Sequence, residues 1–178
     1  MILHLLRHTK TVCPVGVCYG QSDVALAPSF EQEKQSVIKK IKDIHFTHVY
    51  SSPLKRCAHL ALSFAGSKPL LYDNRLMELH FGDWENKPWS EIDQTPEAAL
   101  WFADYVNTAC PGGESYSQLR IRVHDFLSEI AVLHSNTSVL IVTHGGVIRT
   151  ILSVVKKITP ELLFVQKIDY GHFCTIEI

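Results

Sequence analysis

Short, uninterrupted apolar segments recur along this chain, each separated from the next by a loop or by a stretch with helical spacing. Ile2–Leu6, His48–Tyr50, Pro69–Tyr72 and Val139–Val142 read as strands, and Phe173–Ile178 reads as a last strand. A strand with one wet face alternates apolar and polar residues, whereas a continuous apolar run expects cover on both faces. Between the strands, Phe30–Ile44 sets Val37, Ile38, Ile41 and Ile44 at helical spacing among lysines. Ser52 and Pro53 predict the cap and first turn of a helix running to about Phe64. Ser115–His134 predicts a long amphipathic helix, and another helix follows Thr143-His144-Gly145-Gly146 to about Val155. The alternation predicts an α/β fold with three layers: a mostly parallel sheet covered by helices on both faces. Residues 13–28 read as a loop. Residues 83–113, dense in aromatics, read as a small helical insertion in a single domain spanning 1–178.

Composition narrows the function. The 178 residues carry a formal net charge of -1, which offers nothing to nucleic acid or to an anionic membrane as a whole. No apolar run approaches the length of a membrane span, and Arg7 interrupts the only apolar stretch near the N-terminus. The five cysteines, at positions 13, 18, 57, 110 and 174, fit neither a disulfide framework nor a zinc ribbon. They predict reduced thiols and a cytoplasmic protein. The ten histidines show no metal-ligand spacing, since His4 and His8 lie on a strand and share no helical face. No metal and no cofactor is expected.

In an open parallel sheet, ligands bind outside the carboxyl ends of the strands. Three stretches fall at that edge: Arg7-His8, Ser51-Ser52-Pro53-Leu54-Lys55-Arg56, and Thr143-His144-Gly145-Gly146. Singly each is ordinary, because Arg56 reads as a solvated charge and His144 as a strand end. Together they bring two arginines, two histidines and two helix N-termini to one small spot, an anion site of phosphoryl size.

The stretches "LLRHTKT", "SSPLKRC", "MELHFGDWE" and "VTHGG", in that order, resemble the histidine phosphatase superfamily, also called the phosphoglycerate mutase-like fold. The resemblance covers essentially the whole chain. Within the superfamily, "GVCYGQSD", "ELHFGDWE" and "PGGESY" are similar to alpha-ribazole phosphatases of cobalamin synthesis. One departure stands out: the usual Arg-His-Gly-Glu-Thr reads Arg7-His8-Thr9-Lys10-Thr11 here.

The resemblance implies a metal-independent phosphomonoesterase in which His8 attacks phosphorus, and Arg7, Arg56 and His144 hold the phosphoryl oxygens. It implies Glu78 as proton donor to the leaving alkoxide, with Asp83 as the weaker candidate. Glu78 alone reads as surface decoration, and the acid role asks for burial near Phe81 or Trp84. Thr11, Gly20, Gln21 and Gly145, with Ser22, are candidate substrate contacts. Trp84, Trp89, Trp101, Phe102 and Tyr105 read as core, with one or two free to stack on a flat base. The implied partner is a small phosphorylated substrate, alpha-ribazole 5'-phosphate first, for a monomer or homodimer. A broad-specificity phosphatase, a mutase that returns the phosphoryl group, and a non-catalytic binding protein remain alternatives. The mutases of the family carry a larger insertion, which favours hydrolysis.

Overall fold

The computed structural model describes residues 1–159 and 167–178. Its five strands are β1 (Ile2–Arg7), β2 (His48–Ser51), β3 (Leu70–Tyr72), β4 (Ser138–Thr143) and β5 (Phe173–Glu177). They form one sheet in the order β3-β2-β4-β1-β5. The first four are parallel and β5 runs antiparallel along the edge of β1. The mostly parallel sheet expected from the apolar runs is present.

The helices are α1 (Phe30–Ile41), α2 (Lys55–Ala65), α3 (Trp89–Ile92), α4 (Pro96–Ala103), α5 (Tyr116–Leu133) and α6 (Gly145–Lys156). They cover both faces. Leu3, Leu5, Val139 and Ile141 point to one side and pack with Leu119, Val123 and Phe126 of α5 and Val147 and Ile151 of α6. Leu6, Val49, Leu140 and Val142 point to the other and pack with Val37 and Ile41 of α1 and Cys57 and Leu60 of α2. Adjacent residues of β1 and β4 thus serve opposite cores, which is why those runs do not alternate.

Two boundaries differ from the sequence reading. Helix α1 stops at Ile41 rather than Ile44, because the Ile44 N–H turns back to the Ile41 carbonyl at 3.0 Å and Phe46 is tucked into the core beneath. Helix α2 begins at Lys55 after Leu54, not at Pro53, and its first N–H is capped from outside. Asp23 accepts the Lys55 N–H at 2.9 Å and pairs with Lys55 Nζ at 3.4 Å. Ser52 does not cap this helix. Helix α5 starts as the sequence suggests, with Ser115 and Gln118 forming a reciprocal capping box. The insertion holds α3, α4 and a single 3₁₀ turn at Gly82–Trp84.

Candidate active site

The parallel register aligns three strand ends. Arg7 of β1 sits beside Thr143 of β4, and Ser51 of β2 beside Val142. The ladder continues one step further: the His8 N–H donates to the Thr143 carbonyl and the Ser52 N–H to the Val142 carbonyl, each at 3.0 Å. His8, Ser52 and His144 therefore leave the sheet at the same level. The structure brings Arg7, His8, Arg56 and His144 together as the sequence expects.

His8 is 1% exposed, and Arg56 and His144 are fully buried. The His8 Nδ1–H donates to its neighbour's carbonyl, Thr9, at 2.7 Å. That bond fixes the tautomer and leaves Nε2 with its lone pair. The His8 and His144 rings meet edge on, with centroids 5.2 Å apart. The Arg56 Nε–H donates to His144 Nδ1 at 3.3 Å, so the ring proton lies on Nε2, which donates to Ser52 Oγ at 2.8 Å. Here Ser52 finds the role that capping does not give it. Burial holds both imidazoles well below their ordinary pKa, and the guanidiniums of Arg56 and Arg7 push in the same direction. Both rings are neutral without an anion. A proton on His144 must arrive with a phosphate's negative charge.

Arg56 is held by the 19–22 loop, its Nη1 donating to the Ser22 carbonyl at 2.8 Å and its Nη2 to the Gly20 carbonyl at 2.5 Å. Glu85 holds the same loop, accepting from Gln21 N–H at 2.8 Å and from Ser22 N–H at 2.5 Å. Gln21 Nε2 donates to the Glu78 carbonyl at 3.0 Å. The Gly20 carbonyl, the Gln21 N–H and Gln21 Nε2 are thus engaged with Arg56, Glu85 and Glu78. A side chain at Gly20 would put Cβ 2.4 Å from Glu85 Oε1. Thr11 turns its hydroxyl to the Cys13 N–H, at 3.4 Å.

Arg7 lies with its guanidinium over the Tyr170 ring, 4.1 Å from the centroid, and donates through Nη1 to the Ile168 carbonyl. Its Nε is buried with no partner among the described residues. Tyr170 O–H and Tyr19 O–H are 3.0 Å apart, and Tyr19 in turn faces Arg56 at 5.1 Å. Two tyrosines therefore join above two arginines. Gly145 opens α6 against Arg7, whose Cζ would lie 3.5 Å from a Cβ there.

Glu78 is half-buried at the rim, its carboxylate accepting the Gly146 N–H and the Leu79 N–H, each at 3.1 Å. Phe81 and Trp84, the apolar neighbours expected for it, pack instead with Trp89 and Trp101. Asp83 lies beside Gly112, in a groove shared with Lys87 and Pro111. The insertion aromatics stack on one another, and Trp84 and Trp101 are buried.

Three further residues belong to this centre. Arg149 lies one helical turn beyond Gly145; burial lowers its pKa, the charge of Glu78 raises it and that of Arg7 lowers it. The i, i+4 spacing from Gly145 is the signal that marks it. Arg122 donates to the carbonyls of Arg75 at 2.6 Å, Met77 at 2.7 Å and Glu78 at 2.9 Å, and is paired with Glu114 at 2.6 Å. It clamps the segment that carries Glu78. Its signal is a charge on the apolar stripe of α5, between Leu119, Val123 and Phe126. Glu85 is the third. No group of three or more acid, cysteine or histidine side chains suited to a metal ion occurs among the described residues.

Residues 3–178 match the model of the histidine phosphatase superfamily, branch 1. The chain is 31% identical over 147 residues to phosphoserine phosphatase 1 of Hydrogenobacter thermophilus, covering 80% of this chain and 70% of that one. It is 34% identical over 156 residues to phosphoglycerate mutase-like protein 4 of Arabidopsis thaliana, covering 84% and 66%. The alpha-ribazole phosphatase structure from Shigella flexneri superposes with a TM-score of 0.91 at 25% identity, covering all of this chain and 91% of the other. With its Arg-His pair and distant His-Gly meeting at one strand edge, the chain belongs to the histidine phosphatase superfamily and is an enzyme of the phosphatase type, for small phosphorylated substrates.

Proposed function

We propose that the protein hydrolyses phosphomonoesters through a phosphohistidine at His8, without a metal. The observation that carries this reading is the state of His8: a buried, neutral ring whose Nδ1 is tied to the Thr9 carbonyl and whose Nε2 keeps its lone pair. In the first step Nε2 forms a bond to phosphorus as the P–O ester bond breaks. Glu78 delivers a proton to the leaving oxygen. In the second step water attacks phosphorus, Glu78 takes the proton, and the N–P bond breaks to release phosphate and restore His8. Arg7, Arg56 and His144 stabilise the charge on the three non-bridging oxygens. The unpartnered Arg7 Nε gains an acceptor when an oxyanion arrives. Gly145 lets Arg7 lie close to the positive end of α6, which adds to the same field.

For the substrate we propose alpha-ribazole 5'-phosphate, with alpha-ribazole as the leaving alcohol, which the 16–23, 78–85 and 111–116 motifs imply and the likeness to the Shigella structure supports. A phosphorylated acid such as phosphoserine is a second reading, favoured by Lys10 and Lys40 in the groove next to the site. The unpaired state of all five cysteines supports the cytoplasm as the compartment.

Radiolabelled substrate tests the chemistry. The wild type should trap acid-labile, base-stable label during turnover. His8→Ala should lose the label and at least about 10⁴-fold in rate, with the circular dichroism spectrum unchanged. Label that persists in His8→Ala, or turnover abolished by a chelator, overturns the reading.

A further inference from the structure

Thr9 and Lys10 are the two motif positions that depart from the family pattern, and the proposed chemistry uses neither side chain. Both line one groove of about 430 Å³ between the end of β1, the outer face of α1 and Tyr170-Gly171. Gln32, Ser36 and Lys40 of α1 complete its polar wall. The groove contains one carboxylate, Glu33, and it is already occupied. Its Oε2 accepts the Lys10 N–H at 3.0 Å and its Oε1 the Ser29 O–H at 2.6 Å, while Lys10 Nζ stands 3.9 Å away. Lys40 is exposed and makes no ion pair among the described residues. Two ammonium groups against one satisfied carboxylate leave a net positive wall.

A second observation points to a ligand. Thr9 is fully buried at this wall, and its Oγ1 has no hydrogen-bond partner among the described residues. A buried hydroxyl without a partner is unfavourable unless something supplies one. Tyr170 lines the groove on one side and on the other lies under Arg7 and meets the His8 ring at a tilt, with centroids 5.5 Å apart, so an occupant would lean on the catalytic centre.

We infer that this groove is a second binding site, which takes the carboxylate or phosphate group of a small hydroxylated acid between Lys10 and Lys40. Thr9, Gln32 and Ser36 serve its neutral oxygens. The anion has two possible sources: the far end of the phosphate ester itself, or a separate acid. Only the first source rests on the phosphatase reading.

Citrate is the probe for the site, followed by amide chemical shifts in the intact protein at low salt. Thr9, Gln32, Ser36 and Gly171 should shift together, and the shifts should vanish in Lys10→Gln/Lys40→Gln. Shifts confined to Arg7 and Gly145, or equal affinity in the double variant, overturn the proposal. Kinetics then distinguish the sources. If the substrate supplies the anion, KM for phosphoserine rises about two- to fivefold per lysine removed, while KM for p-nitrophenyl phosphate is unchanged. If a separate acid supplies it, the citrate shifts depend on the lysines but the ratio of the two KM values does not. A wild type that hydrolyses neither of these esters nor alpha-ribazole 5'-phosphate refutes the phosphatase reading and leaves the citrate measurement to decide the groove.

Discussion

The centre of the strand-end cage and the tryptophans at the heart of the aromatic insertion, Trp84 and Trp101, are both hidden from water, and they are hidden in opposite ways. In the cage, the buried side chains are held through named hydrogen bonds, Arg56 by two loop carbonyls and His144, His144 by Ser52 and His8 by the Thr9 carbonyl, and the atoms left over, His8 Nε2 and Arg7 Nε, stand where the proposed chemistry needs them. In the insertion, Trp101 is surrounded by rings, with centroids of Trp84 at 5.7 Å, Trp89 at 6.2 Å, Phe102 at 5.1 Å and Tyr105 at 5.9 Å. There the polar atom is the exception, since Trp101 Nε1 is buried without a partner among the described residues. Burial in the cage creates a low-dielectric place where fixed donors act strongly on an anion. In the insertion it gives packing alone. Substitutions should accordingly separate into those that remove rate and those that remove stability.

Glu78→Gln is the largest expected effect on the rate side of this contrast, after loss of the nucleophile. A general acid matters when the leaving oxygen is poor, and a ribose 5'-alkoxide is poor where p-nitrophenolate is good. Single-turnover phosphoryl transfer to His8 should slow by roughly 10²–10⁴-fold for alpha-ribazole 5'-phosphate. It should slow far less for p-nitrophenyl phosphate. The unfolding midpoint should fall by a few degrees at most, because the glutamine oxygen keeps one of the two acceptor bonds to Gly146 and Leu79 N–H and only the other is lost. Equal losses on both esters would mean that Glu78 orients the site and donates no proton. Asp83 offers no easy replacement, since it faces Gly112 rather than the cage.

Trp101→Ala should do the reverse. Removing a buried indole costs about 3–5 kcal/mol, a fall of roughly 6–20 °C in Tm for a chain of this size. The rate per folded molecule should stay near that of the wild type, measured well below the new midpoint. Trp101→Phe keeps most of the ring contacts and deletes the unpartnered N–H, so its loss should stay below about 1.5 kcal/mol. A large drop in kcat for either variant would join the insertion to the chemistry and dissolve the contrast.

The two regions also differ in how far they could be foreseen. The cage was legible because each part ends an apolar strand, and parallel strands of a sheet align their ends. Arg7-His8, Arg56 and His144-Gly145 need no more than that. What holds the cage was less so. Arg122 and Arg149 are marked by helical spacing alone, Arg122 as a charge on a buried stripe. Tyr170 has no local mark at all, because it reaches Arg7 from 163 positions away and only the antiparallel return of β5 brings it there. The same limit explains Ser52 and Asp23. Sequence adjacency assigns a cap to the nearest serine, while tertiary structure gives the cap to Asp23 and frees Ser52 for His144. In the insertion, composition announced aromatics but not their mutual packing, since 83–113 has no single period.

The smallest expected effect tests the cage through its protons. His8 and His144 are neutral when folded, because burial and the two arginines lower their pKa values well below 6.5. In the unfolded chain both titrate near 6.5. As pH falls below 6.5 the unfolded state takes up protons that the folded state refuses, so stability falls with pH. The loss approaches about 1.4 kcal/mol per pH unit for each ring, until the folded pKa is reached. Urea unfolding at pH 7.5, 6.5 and 5.5 measures the slope. His4, His134 and His172 shift in the same direction, so His8→Gln should flatten the slope only in part. Inorganic phosphate should flatten it further, because its charge favours a proton on His144 and offsets the desolvation. Native-state hydrogen exchange adds the comparison between regions: openings confined to α4 should show no such pH dependence in their free energy, while those that expose the start of α6 should follow it. A slope that phosphate leaves unchanged would mean that His144 stays neutral beside the anion, leaving Arg7 and Arg56 to supply the positive charge.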